Sequence, residues 1–189
     1  NGAVIVHEDA DLDYVAELGA SAIWISPITR GVARMDVGDG YHGYWTADFT
    51  ELEPRFGTRD DLSELVTEAH ARDIAVMIDV VPNHVGRVFS YDLDGDGRAG
   101  AGEALPAYRD VPYDVPLIFS EAPRLWRTGT DGAERFELAP AHFHRRGVGD
   151  LRVPAERLWG DFPDGLRDLM TEDDTLADAL AETYARWAV

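Results

Sequence analysis

The chain contains no cysteine and, read residue by residue, no lysine. The first absence rules out disulfides, thiolate nucleophiles and zinc–thiolate centres, and leaves the redox compartment open. The second means that all 17 basic residues are arginines, set against 36 aspartates and glutamates for a formal net charge of −19. Two causes stay open: biased codon usage, or adaptation to high salt, where counter-ions screen the self-repulsion of an anionic surface. Such a surface repels phosphate backbones and anionic lipids, which argues against nucleic-acid binding and membrane attachment. No apolar run approaches the roughly 20 residues of a membrane span. No leader peptide is visible, although the chain need not begin where its gene does.

What is present suits a globular protein: 189 residues, 45% of them hydrophobic, too apolar for an acidic disordered tail. Asp9 to Leu18 sets Leu12, Val15, Ala16 and Leu18 among acids, which predicts a short amphipathic helix stopped by Gly19. Ser21 to Ser26 is a compact apolar run ended by Pro27 and predicts a buried strand. Ile28 to Thr50 lacks a sustained period and reads as a long loop. Thr58, with Asp61 three positions on, forms an acidic variant of the capping box and opens a helix through Leu62, Leu65, Val66 and Ala69. Ile74 to Val80 predicts a second buried strand.

Helix, strand, helix, strand, with continuously apolar strands, points to the α/β class and a parallel sheet covered by helices. From residue 85 to about 170 the pattern dissolves into Gly, Pro and Asp, a stretch too long for a plain connection and better read as an insertion. Thr171, with Asp174 three positions on, is expected to cap a last helix whose stripe is Leu176, Ala179, Leu180, Tyr184 and Trp187. A closed eight-stranded barrel takes about 250 residues. The expectation is therefore a segment of a larger α/β protein, its first strand preceding residue 9; a small doubly wound domain is the alternative.

Three clusters carry chemistry. Asp79 to His84 (DVVPNH) ends the second strand, where parallel α/β folds gather functional residues. Asp79 in an apolar strand needs a partner, and an internal salt bridge is the competing role. Asn83 and His84 offer ligand or hydrogen-bonding atoms, or form a structured turn. Tyr41 to Trp45 (YHGYW) puts three aromatics and a histidine in one loop. That composition suits a platform for the apolar faces and hydroxyls of a sugar, or a small hydrophobic cluster under the loop. Asp92 to Glu103 (DLDGDGRAGAGE) has the spacing of an EF-hand calcium loop. Side chains of Asp92, Asp94, Asp96 and Glu103 and the carbonyl of Arg98 would surround the ion. The flanks lack long helices and position 8 lacks its apolar side chain, so a solvated acidic turn is the alternative. His7 and His70 read as surface or helix positions; His142 and His144 are placed to face a cleft in the insertion.

Taken together, YHGYW, DFTELEPRFGT (48–58) and DVVPNH resemble the alpha-amylase family of retaining glycoside hydrolases. LDYVAELGASAIWISPI (12–28) is similar to that family's first barrel helix and second strand, and FPDGLRDLMTED (162–173) to the block before its third helix. The resemblance implies a partial (β/α)8 TIM barrel, with residues 1–84 its N-terminal part, 85–170 an inserted, mostly irregular B domain, and 171–189 the third barrel helix. It implies that Tyr44 stacks on a sugar, that His42 and Trp45 line the same groove, that His84 bonds a hydroxyl, and that Asp79 supports the nucleophile's surroundings. Asn83 and Asp168 would hold the family's calcium ion, although LRDL stands where many members have LPDL. A second Ca2+ in the 92–103 loop would resemble accessory sites of some relatives.

The nucleophile, the acid/base and the third carboxylate of this family are all expected beyond Val189, so the segment alone is not expected to hydrolyse its substrate. The expected partner is an α-glucan or oligosaccharide. An α-glucosidase or transglycosylase of the same family, and a non-catalytic carbohydrate-binding member, are the alternatives. Secretion is favoured over the cytoplasm, and the oligomeric state is not legible.

Overall fold

A computed structural model describes residues 9–129 and 132–188. His7 and the strand expected before residue 9 lie outside the described residues.

Helix α1 (Asp9–Glu17) ends as expected at Gly19, whose φ of 75° is a left-handed value that a glycine adopts without steric cost. Strand β1 (Ala22–Ile25) follows. Residues 28–50 are not a plain loop. Strands β2 (Thr29–Gly31) and β5 (Thr46–Leu52) pair antiparallel, and β3 (Arg34–Met35) with β4 (Gly38–Asp39) forms a small hairpin between them. Strand β5 was hidden because both of its faces are buried, so it shows no alternation. Its polar residues are satisfied inside: Thr46 bonds Thr29 at 3.1 Å, and Asp48 accepts from the Thr50 backbone and hydroxyl at 2.8 and 2.7 Å.

Helix α2 (Arg59–His70) carries the predicted capping box in full. Thr58 and Asp61 exchange side-chain and backbone hydrogen bonds, and Leu62, Val66 and Ala69 are buried. His70 is exposed in the last turn. Strand β6 (Ala75–Ile78) pairs parallel with β1 in register Ala22↔Ala75 to Ile25↔Ile78. The two strands are not buried on both sides. Their outer face, through Ile25 and Ile78, packs with Leu62 of α2 and with Trp187. Trp24 and Met77 point the other way and are 72% and 50% exposed. That is the face a closed barrel fills with its own side chains, and the barrel is not closed among the described residues.

Residues 85–170 are more ordered than their composition suggests. Strand β7 (His84–Val85) is followed by β8 (Phe89–Tyr91), which pairs with β9 (Leu117–Phe119). Strands β10 (Arg124–Gly129) and β11 (Gly132–Glu137) make a hairpin, and helix α3 (Pro154–Trp159) precedes β12 (Arg167–Asp168), which returns antiparallel to β7. These ribbons are too short to show a period in sequence.

Helix α4 (Asp174–Ala185) starts two residues later than predicted. A turn from Leu169 takes up Thr171, whose N–H bonds the Leu169 carbonyl, and Asp173 caps instead through Leu176 N at 2.9 Å. Of the predicted stripe, Leu176, Ala179 and Leu180, with half-buried Tyr184, join Phe49, Phe89, Leu125 and Phe143 in one core, while Trp187 is buried against Ile28 and Leu62. No helix among the described residues is long and apolar enough to cross a membrane.

Candidate functional site

Asp79 stands just past the end of β6, two residues after Met77 and so on the open face of the ribbon. Its carboxylate accepts a 2.7 Å hydrogen bond from the Tyr44 hydroxyl rather than forming the internal salt bridge that burial alone suggested. This bond, with burial and the Asp79 charge adding to it, raises the Tyr44 pKa and keeps the phenol protonated. Tyr44 and Asp79, with Trp24, Ile25 and Ser26, line an open pocket of about 170 Å³.

The loop that carries Tyr44 is shaped by close backbone approach. Gly43 has a φ of 84°, and a Cβ there would lie 2.3 Å from the Pro27 carbonyl oxygen, so a side chain is excluded. His42 accepts from Tyr44 N through Nδ1 at 3.0 Å and stacks on the Tyr44 ring at 5.7 Å. Burial, then the Arg55 charge, lowers the His42 pKa and favours the neutral ring that this bond requires. Trp45 is buried against Met35 and Leu166, and its ring meets His42 edge-on at 4.6 Å. It therefore supports the loop from beneath, while Tyr41 and Tyr44 are exposed.

His84 is half-buried and connects this loop to residues 85–170. Its Nε2–H donates to the Tyr44 carbonyl at 3.2 Å, which leaves the lone pair on Nδ1. Burial, only partly opposed by that bond, lowers its pKa. Phe162 stacks on the ring face at 5.3 Å and 16°. Tyr184 of α4 holds the segment from behind, its hydroxyl accepting from Val81 N at 3.0 Å.

Asn83 and Asp168, distant in sequence, are brought together: Asn83 Nδ2 donates to Asp168 Oδ1 at 3.1 Å. His144 bonds the other Asp168 oxygen through Nδ1 at 2.5 Å and Glu172 through Nε2 at 2.8 Å. Burial opposes protonation of His144, but the two carboxylates outweigh it and its pKa is raised. These four residues, with Arg157 and Trp159, line a cleft of about 340 Å³, so His144 does face a cleft as expected. His142 instead accepts from Ala139 N at 2.8 Å at the start of a 3₁₀ turn.

Arg167 of the LRDL block is fully buried. It pairs with buried Asp161 at 2.6 Å, donates to the carbonyls of Phe89 and Ala104, and lies against the rings of Phe89 and Tyr91. Asp161 also accepts from the Tyr91 hydroxyl at 2.8 Å and from Asp168 N at 3.3 Å. The arginine thus fixes the strand that presents Asp168.

In the 92–103 loop, one carboxylate oxygen each of Asp92, Asp94 and Asp96 fall within 4.8 Å of one another. Asp92 is buried and the other two are exposed. Arg98 N donates to Asp96 at 2.8 Å, and Glu103 receives the N–H groups of Leu93, Asp94 and Gly100, which lowers its pKa.

Comparison with known proteins decides the family. A family profile described as "Alpha amylase, catalytic domain" matches residues 9–111. The chain belongs to the alpha-amylase family. It is 33% identical over 199 residues to an alpha-amylase of Streptomyces lividans, covering 93% of this chain and 21% of that protein. It is 45% identical over 161 residues to an uncharacterized glycosyl hydrolase of Schizosaccharomyces pombe, covering 84% of this chain and 30% of the relative. Among solved structures, an alpha-amylase from Geobacillus thermoleovorans, complexed with acarbose, superposes with a TM-score of 0.60 at 29% identity, over 98% of this chain and 31% of that one. The chain thus spans between about a fifth and a third of the relatives it matches.

Proposed function

We propose that this chain supplies the sugar-gripping part of an enzyme that cleaves α-linked glucans with retention of configuration. The observation that carries the reading is the convergence of Tyr44, Asp79 and His84 at the C-terminal edge of the β1–β6 ribbon, through bonds of 2.7 and 3.2 Å. An exposed aromatic beside a carboxylate and a neutral imidazole is what a pyranose needs: a flat apolar surface with hydroxyl partners at its rim. Tyr44 takes the sugar face, and His84 and Asp79 hold the hydroxyls and surroundings of the reacting centre. The nucleophile and acid/base belong to later barrel strands. Residues 85–170 serve as the inserted domain and 171–189 as the third barrel helix.

Family membership raises calcium, and the donor chemistry fits best in the 92–103 loop. Asp92, Asp94 and Asp96 give an all-oxygen set suited to a hard cation, whereas the Glu103 oxygens already accept the N–H groups of Leu93, Asp94 and Gly100. At Asn83 and buried Asp168, the two carboxylate oxygens are engaged by Asn83 Nδ2 and His144 Nδ1, and an ion there would have to replace those bonds. Calcium would supply fixed positive charge that orders the insertion, and takes no part in bond breaking.

The test is His84→Ala in the full-length protein. A hydrogen bond realised in the transition state predicts a loss of roughly 10- to 100-fold in kcat/KM on maltoheptaose. Unchanged kinetics would remove His84 from the site.

A further inference from the structure

We propose that Phe162 is a second sugar-stacking platform, contributed by the insertion, and that it sets how tightly the glucan is held. This rests on the reading of Tyr44, Asp79 and His84 as a sugar site.

Phe162 is an apolar ring 38% exposed to solvent, next to Asp161, which is 1% exposed. It does not lie loosely on the surface. One part of it is covered by the His84 ring, parallel within 16° at 5.3 Å. Its backbone closes a tight turn: Phe162 N bonds the Leu166 carbonyl at 2.9 Å, and Gly165 N bonds the Phe162 carbonyl at 3.0 Å. Asp164 within that turn has a φ of 68°, a left-handed value that costs a non-glycine residue energy. Arg87 clamps the strained residue, donating to the Asp164 carbonyl at 3.0 and 2.7 Å. On one side Asp161 is locked by Arg167 and Tyr91, and on the other β12 is paired to β7.

The fold therefore holds an exposed aromatic ring rigidly against the histidine that touches Tyr44. A ring held in place loses little freedom when a ligand stacks on it, so contact area converts efficiently into affinity. The ligand class follows from the neighbours. His84 is bonded to the Tyr44 carbonyl, Asp79 is an acceptor and Tyr44 is a second exposed ring. A neutral polyhydroxylated ring suits this set, whereas an anion meets Asp79.

The experiment compares Phe162→Ala, Phe162→Leu, Phe162→Tyr and Phe162→Trp in the full-length protein, with kcat and KM measured on maltoheptaose. Loss of the platform should raise KM about three- to tenfold with kcat nearly kept. Leucine restores bulk but not the flat face and should behave like alanine, while tyrosine and tryptophan should stay within about twofold of the native KM. A native KM in the leucine variant, or a fall in kcat at constant KM, would show that Phe162 only props His84 and would overturn the proposal. The leucine, tyrosine and tryptophan variants decide the matter even if alanine prevents folding. His84→Ala and Tyr44→Ala are run in parallel. If neither changes the kinetics, the underlying sugar site is wrong; if both impair turnover and Phe162→Ala changes nothing, only the platform falls.

Discussion

Replacing Arg167 by methionine isolates the buried ion pair that fixes strand β12 within residues 85–170. Methionine keeps the straight stem and roughly the volume but removes the guanidinium. Asp161, 1% exposed, then keeps a carboxylate that loses its counter-charge. The carbonyls of Phe89 and Ala104 lose donors as well. Breaking a buried ion pair from one side typically costs about 3–5 kcal/mol, because the abandoned charge stays out of water. The double variant Arg167→Met with Asp161→Asn should recover a large part of this loss, because the amide carries no charge, its oxygen can accept from Asp168 N and its NH2 can donate to the Tyr91 hydroxyl. A double-mutant cycle on urea unfolding midpoints of the full-length protein reads the result. The expected coupling between the two positions is at least about 2 kcal/mol. If the single variant loses less than about 1 kcal/mol, or the two losses simply add, the pair is not the anchor described.

Two further outcomes follow from other parts of the molecule. Burial pushes the Glu53 carboxyl up, but hydrogen bonds from Arg55 and Gly31 N outweigh it and hold its pKa below the ordinary value. A carboxyl depressed by folding adds stability that is complete above the unfolded value of about 4.3 and fades as pH falls through that value and then through the folded one. Glu53→Gln should thus lower the unfolding midpoint at pH 7, with the gap to the native protein narrowing as pH falls below about 4; a gap independent of pH contradicts the linkage. For the 92–103 loop, Asp94→Asn with Asp96→Asn should weaken Ca2+ binding by at least about tenfold in titration calorimetry and shrink the melting shift that calcium gives. A native binding isotherm in that variant would leave the loop as a solvated turn.

Sequence revealed most where a residue acts on near neighbours or on a strand of its own. The Thr58–Asp61 box, the Gly19 stop and the order helix, strand, helix, strand were all legible, because caps and apolar runs are local signals. So was DVVPNH, by its place after a strand. The missed elements share a different cause. Strand β5 is buried on both faces, with Asp48 and Thr46 satisfied by partners as remote as Arg124, so its polar letters looked like a loop. Asp173 replaced Thr171 as a cap because a turn from the preceding β12 consumed the threonine. Phe162 and Asp161 carried no local mark, and nothing local gave His144 its partners. Asp161 meets Tyr91 70 positions away and Phe162 meets His84, while His144 joins Asp168 and Glu172 24 and 28 positions on.

That dependence on distant contacts bears on how the site works. Tyr44, His84 and Phe162 come from three separate stretches, and no one stretch fixes the other two. The Tyr41–Trp45 loop is set by Gly43 against Pro27 and by buried Trp45. His84 is set by β12 pairing and by Tyr184 behind Val81. Phe162 is set by Asp161 and the Arg87-clamped turn. Asp168, which pairs with His84 across the short β7–β12 ribbon, also holds Asn83. Arg167 fixes the same strand through buried bonds to three separate segments. The geometry around His84 is thus tied, through the β7–β12 pairing, to the buried Arg167–Asp161 ion pair.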